Sequence, residues 1–125
     1  MTSFKVSLIF FTLLIAIIIS NIIFINSTEI TLLKKVEQIE LTDNENRKTT
    51  LDEISDMQKY WQSRKELVAV SVPYSQILRI SELIQSLSSY YKSDELGEYE
   101  NTKELLKLAI NQIGKQEQFL WSNIL

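Results

Sequence analysis

From Val6 to Ile25 the chain reads VSLIFFTLLIAIIISNIIFI, with no charged side chain in the run. As a helix, such a stretch extends roughly 30 Å, the thickness of a bilayer's hydrocarbon core. Most of its residues would be unsuited to the surface of a small soluble domain, so the run constrains everything that follows. A secretory signal also begins with a charge and an apolar stretch, but its apolar core is shorter, and small residues precede the cut at −3 and −1. Ser20 and Ser27 could each stand at −1, yet Ile18 and Ile25 then occupy −3. The run therefore predicts an uncleaved transmembrane anchor over residues 6–25, behind a short cytoplasmic leader, residues 1–5.

Basic residues set the orientation of such anchors. Here Lys5 lies on one side, with Lys34 and Lys35 on the other, so the rule is nearly balanced. A charged leader ahead of a long apolar run is the usual form of a signal anchor, which puts the N-terminus inside and the bulk of the chain outside the cell membrane. Within the span, Thr12, Ala16 and Ser20 recur every four residues, and Asn21 adds an amide. Small residues at that spacing let two helix backbones approach closely, so these four positions are candidates for homo-oligomer packing through the span.

The chemistry available to the rest is narrow. The sequence has no cysteine and no histidine, which removes disulfides, thiolates, imidazole bases and nearly every zinc or iron site. Of its 13 basic groups only Lys5 precedes the apolar run, so 12 remain against 16 acidic ones. Neither Lys34-Lys35 nor Arg64-Lys65 extends into the basic face that nucleic acid requires, and nucleic acid is not an expected partner.

Two glycines and one proline leave residues 1–72 without a helix breaker. The stripe Ile25, Leu32, Val36, Ile39 keeps helical spacing beyond the membrane and predicts that the spanning helix continues as a stalk, residues 26–42. Thr42 to Thr50 is polar and holds two capping boxes, Thr42 with Glu45 and Thr50 with Glu53, either of which could start the next helix. That helix carries Leu51, Ile54, Met57, Trp61 and Val68 on one face and should end near Val70, ahead of Pro73. The seam Ile77, Ile80, Ile84, Leu87, Tyr91 defines a third helix. A fourth, with Ser93 as N-cap, shows Tyr99, Thr102, Leu106, Ala109 and Ile113, and Gly114 should weaken or end it. The expected fold is all-α: a transmembrane helix continuing into a stalk, then an up-down antiparallel helical bundle over residues 43–125.

Motifs with chemical meaning are few. Ser89-Tyr90-Tyr91-Lys92 fits the Ser-x-x-Lys pattern of penicillin-recognising enzymes, but the companion motifs are missing and the match is best read as chance. The acids Asp94, Glu95, Glu98 and Glu100 suit a first helical turn better than a calcium loop. Tyr60, Trp61, Tyr74, Tyr90 and Tyr91 could line a pocket between helices, although aromatics at seam spacing usually form core. No catalytic residue, metal ligand or cofactor site is expected.

Five of the final seven residues, FLWSNIL, are large and apolar where chain ends are usually polar. Phe119, Leu120 and Ile124 could close the base of the bundle with Trp121 at the bilayer surface, or the segment ending in Leu125 could be an extended docking peptide for a protein partner. An N-terminal anchor, a helix bearing Trp61, Ile77-x-x-Ile80 with Leu87 and Tyr90-Tyr91, and Glu117 ahead of FLWSNIL together resemble the clostridial membrane-anchored family called domain of unknown function 4363. The resemblance covers nearly the whole chain, though Ser71-Val72-Pro73 replaces the His-containing turn of that family. It implies a helical envelope protein of spore-forming, low-GC Gram-positive bacteria and carries over no functional residues. The expectation is a non-enzymatic, single-pass membrane protein whose outer bundle binds an unknown protein partner; a small-molecule sensor with a pocket between helices is the alternative.

Overall fold

The computed structural model describes the backbone of residues 2–124 and the side chains of residues 2–115. It contains four helices, α1 (Thr2–Thr42), α2 (Arg47–Val68), α3 (Tyr74–Lys92) and α4 (Leu96–Ile124). Three short turns join them, so consecutive helices run antiparallel. Helix α1 packs on α2 and α4, and α3 packs on the same two, while no diagonal pair touches among the described residues. This is an up-down four-helix bundle closed by the return of α4 to α1.

α1 has two unlike halves in one uninterrupted helix of 41 residues. Its first part, residues 2–20, is exposed along nearly its whole length, with Leu8, Phe10, Leu13 and Ile17 all more than half accessible. From Ile22 onward one face is buried: Ile25, Leu32, Val36 and Ile39 are at 0 % exposure. Residues 26–42 continue the helix, as expected of the stalk. They form the first helix of the bundle, because the apolar stripe that extends the helix past the membrane run is also the face that α2 and α4 cover. Thr28 lies in this stripe and is fully buried, its hydroxyl satisfied by the Phe24 carbonyl at 2.8 Å.

The expected seams form the core. Ile54, Met57, Trp61 and Val68 of α2 are buried, with Leu51 packed beside them. Ile77, Ile80, Ile84, Leu87 and Tyr91 of α3 are buried, as are Tyr99, Thr102, Leu106, Ala109 and Ile113 of α4. The helix ends differ from expectation. Asn46 caps α2, its side-chain oxygen accepting from the Thr49 amide at 3.1 Å, so neither capping box begins the helix. The threonines are used across the turn instead: Thr42 donates to Glu53 at 2.8 Å, and Thr50 bonds Thr42 at 3.0 Å. Ser93 closes α3 and does not open α4; its hydroxyl and amide both return to the Ser89 carbonyl. Asp94 takes the left-handed conformation, φ 60°, that lets the chain reverse in three residues.

Gly114 does not stop α4, which runs on to Ile124. Its missing Cβ leaves the space that the Glu29 carboxylate of α1 occupies. Glycine is here the residue that admits a side chain from a neighbouring helix, and its low helix propensity, costing about 1 kcal/mol against alanine, is carried by the surrounding packing.

Candidate functional site

The most organised polar site lies at the end of the bundle far from the apolar half of α1. Asp43 follows the last turn of α1, and its side chain is 4 % exposed. Lys103 projects from α4, 5 % exposed, and donates to Asp43 Oδ2 at 2.6 Å. The Tyr99 hydroxyl donates to the same oxygen at 3.1 Å, and the Tyr91 hydroxyl donates to the Asp43 backbone carbonyl at 3.4 Å. The two tyrosine rings meet at a tilt, 5.1 Å between centroids, and the Lys103 ammonium sits 4.8 Å from the Tyr99 centroid. Asp43 in the α1–α2 turn thus holds α4 through its carboxylate and α3 through its backbone carbonyl.

A rim of more exposed charges surrounds this centre. Glu100 pairs with Lys103 at 3.0 Å, one turn earlier on α4. Arg47 pairs with Asp94 at 2.6 Å, donates to the Lys92 carbonyl at 2.8 Å and lies over the Tyr91 ring, clasping the two turns at this end together. Farther down, Lys107 of α4 pairs with Glu40 of α1 and, at 3.3 Å, with Glu104.

The proton affinities follow from this geometry. Burial alone would favour a neutral Lys103, but its hydrogen bonds to Asp43 and Glu100 and their charges prevail, so its pKa rises above the ordinary lysine value. Burial, reinforced by the Asp43 carboxylate, raises the Tyr99 phenol well above its usual range. The hydrogen bond to Glu40 is the main cause of the upward shift at Lys107. A lysine held charged is a poor nucleophile, and a phenol held neutral is a poor base. The cluster is suited to fastening helices.

The aromatic residues do not converge on a pocket. Trp61 is buried, its indole N–H donating to Ser81 at 2.8 Å; Tyr91 is in the far-end cluster; Tyr74 is 67 % exposed. A groove of about 220 Å³ between α2 and α3, lined by Gln58, Trp61, Gln62, Ser81, Ile84 and Gln85, is smaller than usual ligand pockets of ~300–1,000 Å³. Of the acids weighed for calcium, Asp94 is paired with Arg47 and Glu100 with Lys103, and no group of three metal-ligating side chains occurs among the described residues.

Thr12, Ala16 and Ser20 lie on the exposed part of α1, the Thr12 hydroxyl returning to the Leu8 carbonyl at 2.8 Å. Asn21 is different: its amide donates to the Ser71 hydroxyl in the α2–α3 turn, so it is engaged within the chain. The tail residues Phe119, Leu120, Trp121 and Ile124 lie on the helical backbone of α4, but their side chains, and all of Leu125, fall outside the described residues. The Asp43–Lys103 pair escaped sequence reading because 60 positions separate its members and nothing local marks them. Lys103 falls next to the Tyr99–Thr102–Leu106 seam, and that position is the only available signal.

Compared with known proteins, the chain matches no family model, and no characterised protein or solved structure is significantly similar to it.

Proposed function

We propose that this chain is a single-pass membrane protein whose four-helix bundle, held outside the membrane, is a non-enzymatic module for binding a protein partner at the cell envelope. The observation that carries the proposal is the continuity of α1. Its exposed apolar half has the length and composition of a span, and its other half supplies a quarter of the bundle's core without a break between them. Anchor and module form one rigid unit, a construction suited to presenting a surface at a fixed height above a bilayer. The far end, crosslinked by the Asp43–Lys103 and Arg47–Asp94 pairs, is the rigid and charged face of that unit. The resemblance of Glu117 and FLWSNIL to the clostridial anchored family supports placing it in a Gram-positive envelope.

The test uses the absence of native cysteine. Lys48→Cys places one thiol at the far end; a membrane-impermeant maleimide should label it in intact cells, and labelling only after membrane rupture would refute the orientation. Cross-linking in the same cells should capture a protein partner through the far face, and capture of none across cross-linkers of several lengths would refute the binding role.

A further inference from the structure

Resting on the membrane-anchored reading, we propose that the α2–α3 turn, residues 69–73, with Leu67 and Tyr74 beside it, is a second membrane contact, seated in the lipid headgroup interface where α1 leaves the bilayer.

Height along α1 is the first reason. The Asn21 amide holds Ser71, and the Arg64 guanidinium lies 4.7 Å from the Phe24 ring centroid. Both contacts fall inside the charge-free run Val6–Ile25, so the turn sits level with residues that would otherwise belong to the span. Asn21 is four residues before the end of that run, roughly 6 Å at the helical rise. Either about a turn of apolar helix emerges into water with the base of the bundle around it, or that base reaches the interface.

The composition of the turn selects the second arrangement. Val70 is 74 % exposed, Tyr74 67 % and Leu67 57 %, and Ala69 to Tyr74 contains no charge. The opposite end of the bundle is the reverse, with Asp43, Glu45, Asp94 and Glu95 in its turns. Valine and leucine beside an exposed tyrosine, with Arg64 and Lys65 above them, is the order in which interfacial segments arrange apolar, amphipathic and cationic groups.

Backbone satisfaction is an independent reason. Unpaired amides are costly where water is scarce. In this turn the Ala69 amide bonds Lys65, Val70 bonds Leu67, and Ser71 and Val72 both bond Val68, at 2.9–3.3 Å. Pro73 has no amide hydrogen to satisfy. The turn can therefore enter a poorly hydrated layer with its N–H groups already paired.

The occupant is the bilayer that holds α1, and the test places a fluorophore sensitive to lipid-borne quenchers at three single cysteines in the full chain. Leu13→Cys, Val70→Cys and Lys48→Cys lie respectively in the span, on the turn and at the far end, roughly 30 Å above the turn by helical rise. The protein is reconstituted in phosphatidylcholine–phosphatidylglycerol vesicles, with circular dichroism confirming the fold of each variant. All three sites are exposed, so each accepts a label without core disruption. The expected result is deep quenching at position 13, at least twofold stronger quenching by a headgroup-level quencher at position 70 than at 48, and reduced access of iodide to position 70. Quenching at 13 with equal, water-like behaviour at 70 and 48 would overturn the interfacial contact alone. Loss of quenching at 13 would overturn the membrane reading and this inference with it. Protection of 70 from iodide without lipid quenching would mean that protein covers the turn, which also overturns the inference.

Discussion

Replacing Lys103 by methionine keeps most of the side-chain volume while leaving the Asp43 carboxylate, 4 % exposed, without its cation. The orphaned carboxylate retains the Tyr99 hydroxyl at 3.1 Å but loses the charge-assisted bond at 2.6 Å. Breaking one side of a buried pair costs about 3–5 kcal/mol, roughly a hundred- to several-thousandfold in the folding equilibrium. Arg47 supplies the internal control: it and Asp94 are 49 % and 74 % exposed, and such a pair contributes only about 0–1 kcal/mol. Urea unfolding of the full chain in detergent micelles, followed by circular dichroism, should rank Lys103→Met far below Arg47→Met. Adding Asp43→Asn to Lys103→Met should recover at least about 2 kcal/mol, because the uncompensated charge disappears. A loss below about 1 kcal/mol for Lys103→Met, equal to that for Arg47→Met, would refute the view that this pair fastens the far end.

The remaining expectations concern single contacts. Because the folded-state pKa of Lys103 is raised, its contribution is fully present below the unfolded lysine value of about 10.4 and is lost as pH rises through the folded one. Unfolding midpoints should accordingly hold from neutral pH to about 10 and fall above it, a fall that Lys103→Met should diminish. Trp61→Phe removes the indole bond to Ser81 and should cost about 1 kcal/mol plus a smaller packing loss, against about 3–5 kcal/mol for Trp61→Ala, both read by urea unfolding. Asn46→Ala deletes the α2 cap and should cost about 1 kcal/mol in the same assay, whereas Thr49→Ala, which keeps the backbone amide that donates to Asn46, should change little. Asp94→Gly should stay within about 1 kcal/mol of the parent, while Asp94→Val, forcing a branched side chain to φ 60°, should be clearly less stable.

Much of the bundle could be read from the sequence because its signal is periodic. Ile77, Ile80, Ile84, Leu87 and Tyr91 advance by three and four, and burial of that face follows directly. Helix ends were less legible because several residues competed for the same role: Thr42, Asn46 and Thr50 can each cap, and only the tertiary contacts of Thr42 with Glu53 and Thr50 decide for Asn46. What packs against the stalk was not legible for a related reason. Periodicity shows that Ile25 to Ile39 has an apolar face but not what covers it, and here α2 and α4 do. Gly114 carried a propensity signal that packing against Glu29 overrides. Asn21 looked like a polar residue in a span, and its partner Ser71, 50 positions away, could not be inferred from spacing.

Uninterrupted α1 is the structural basis of the proposed role, and a distance measurement tests it most directly. Spin labels at Leu13→Cys and Leu41→Cys, both exposed positions of α1, bracket the junction between the apolar half and the bundle. Across 28 residues a continuous helix spans roughly 42 Å. Pulsed dipolar spectroscopy on the full chain in lipid should give one narrow distribution near that value. A broad distribution, or one centred much shorter, would place a hinge between anchor and bundle and contradict the rigid coupling.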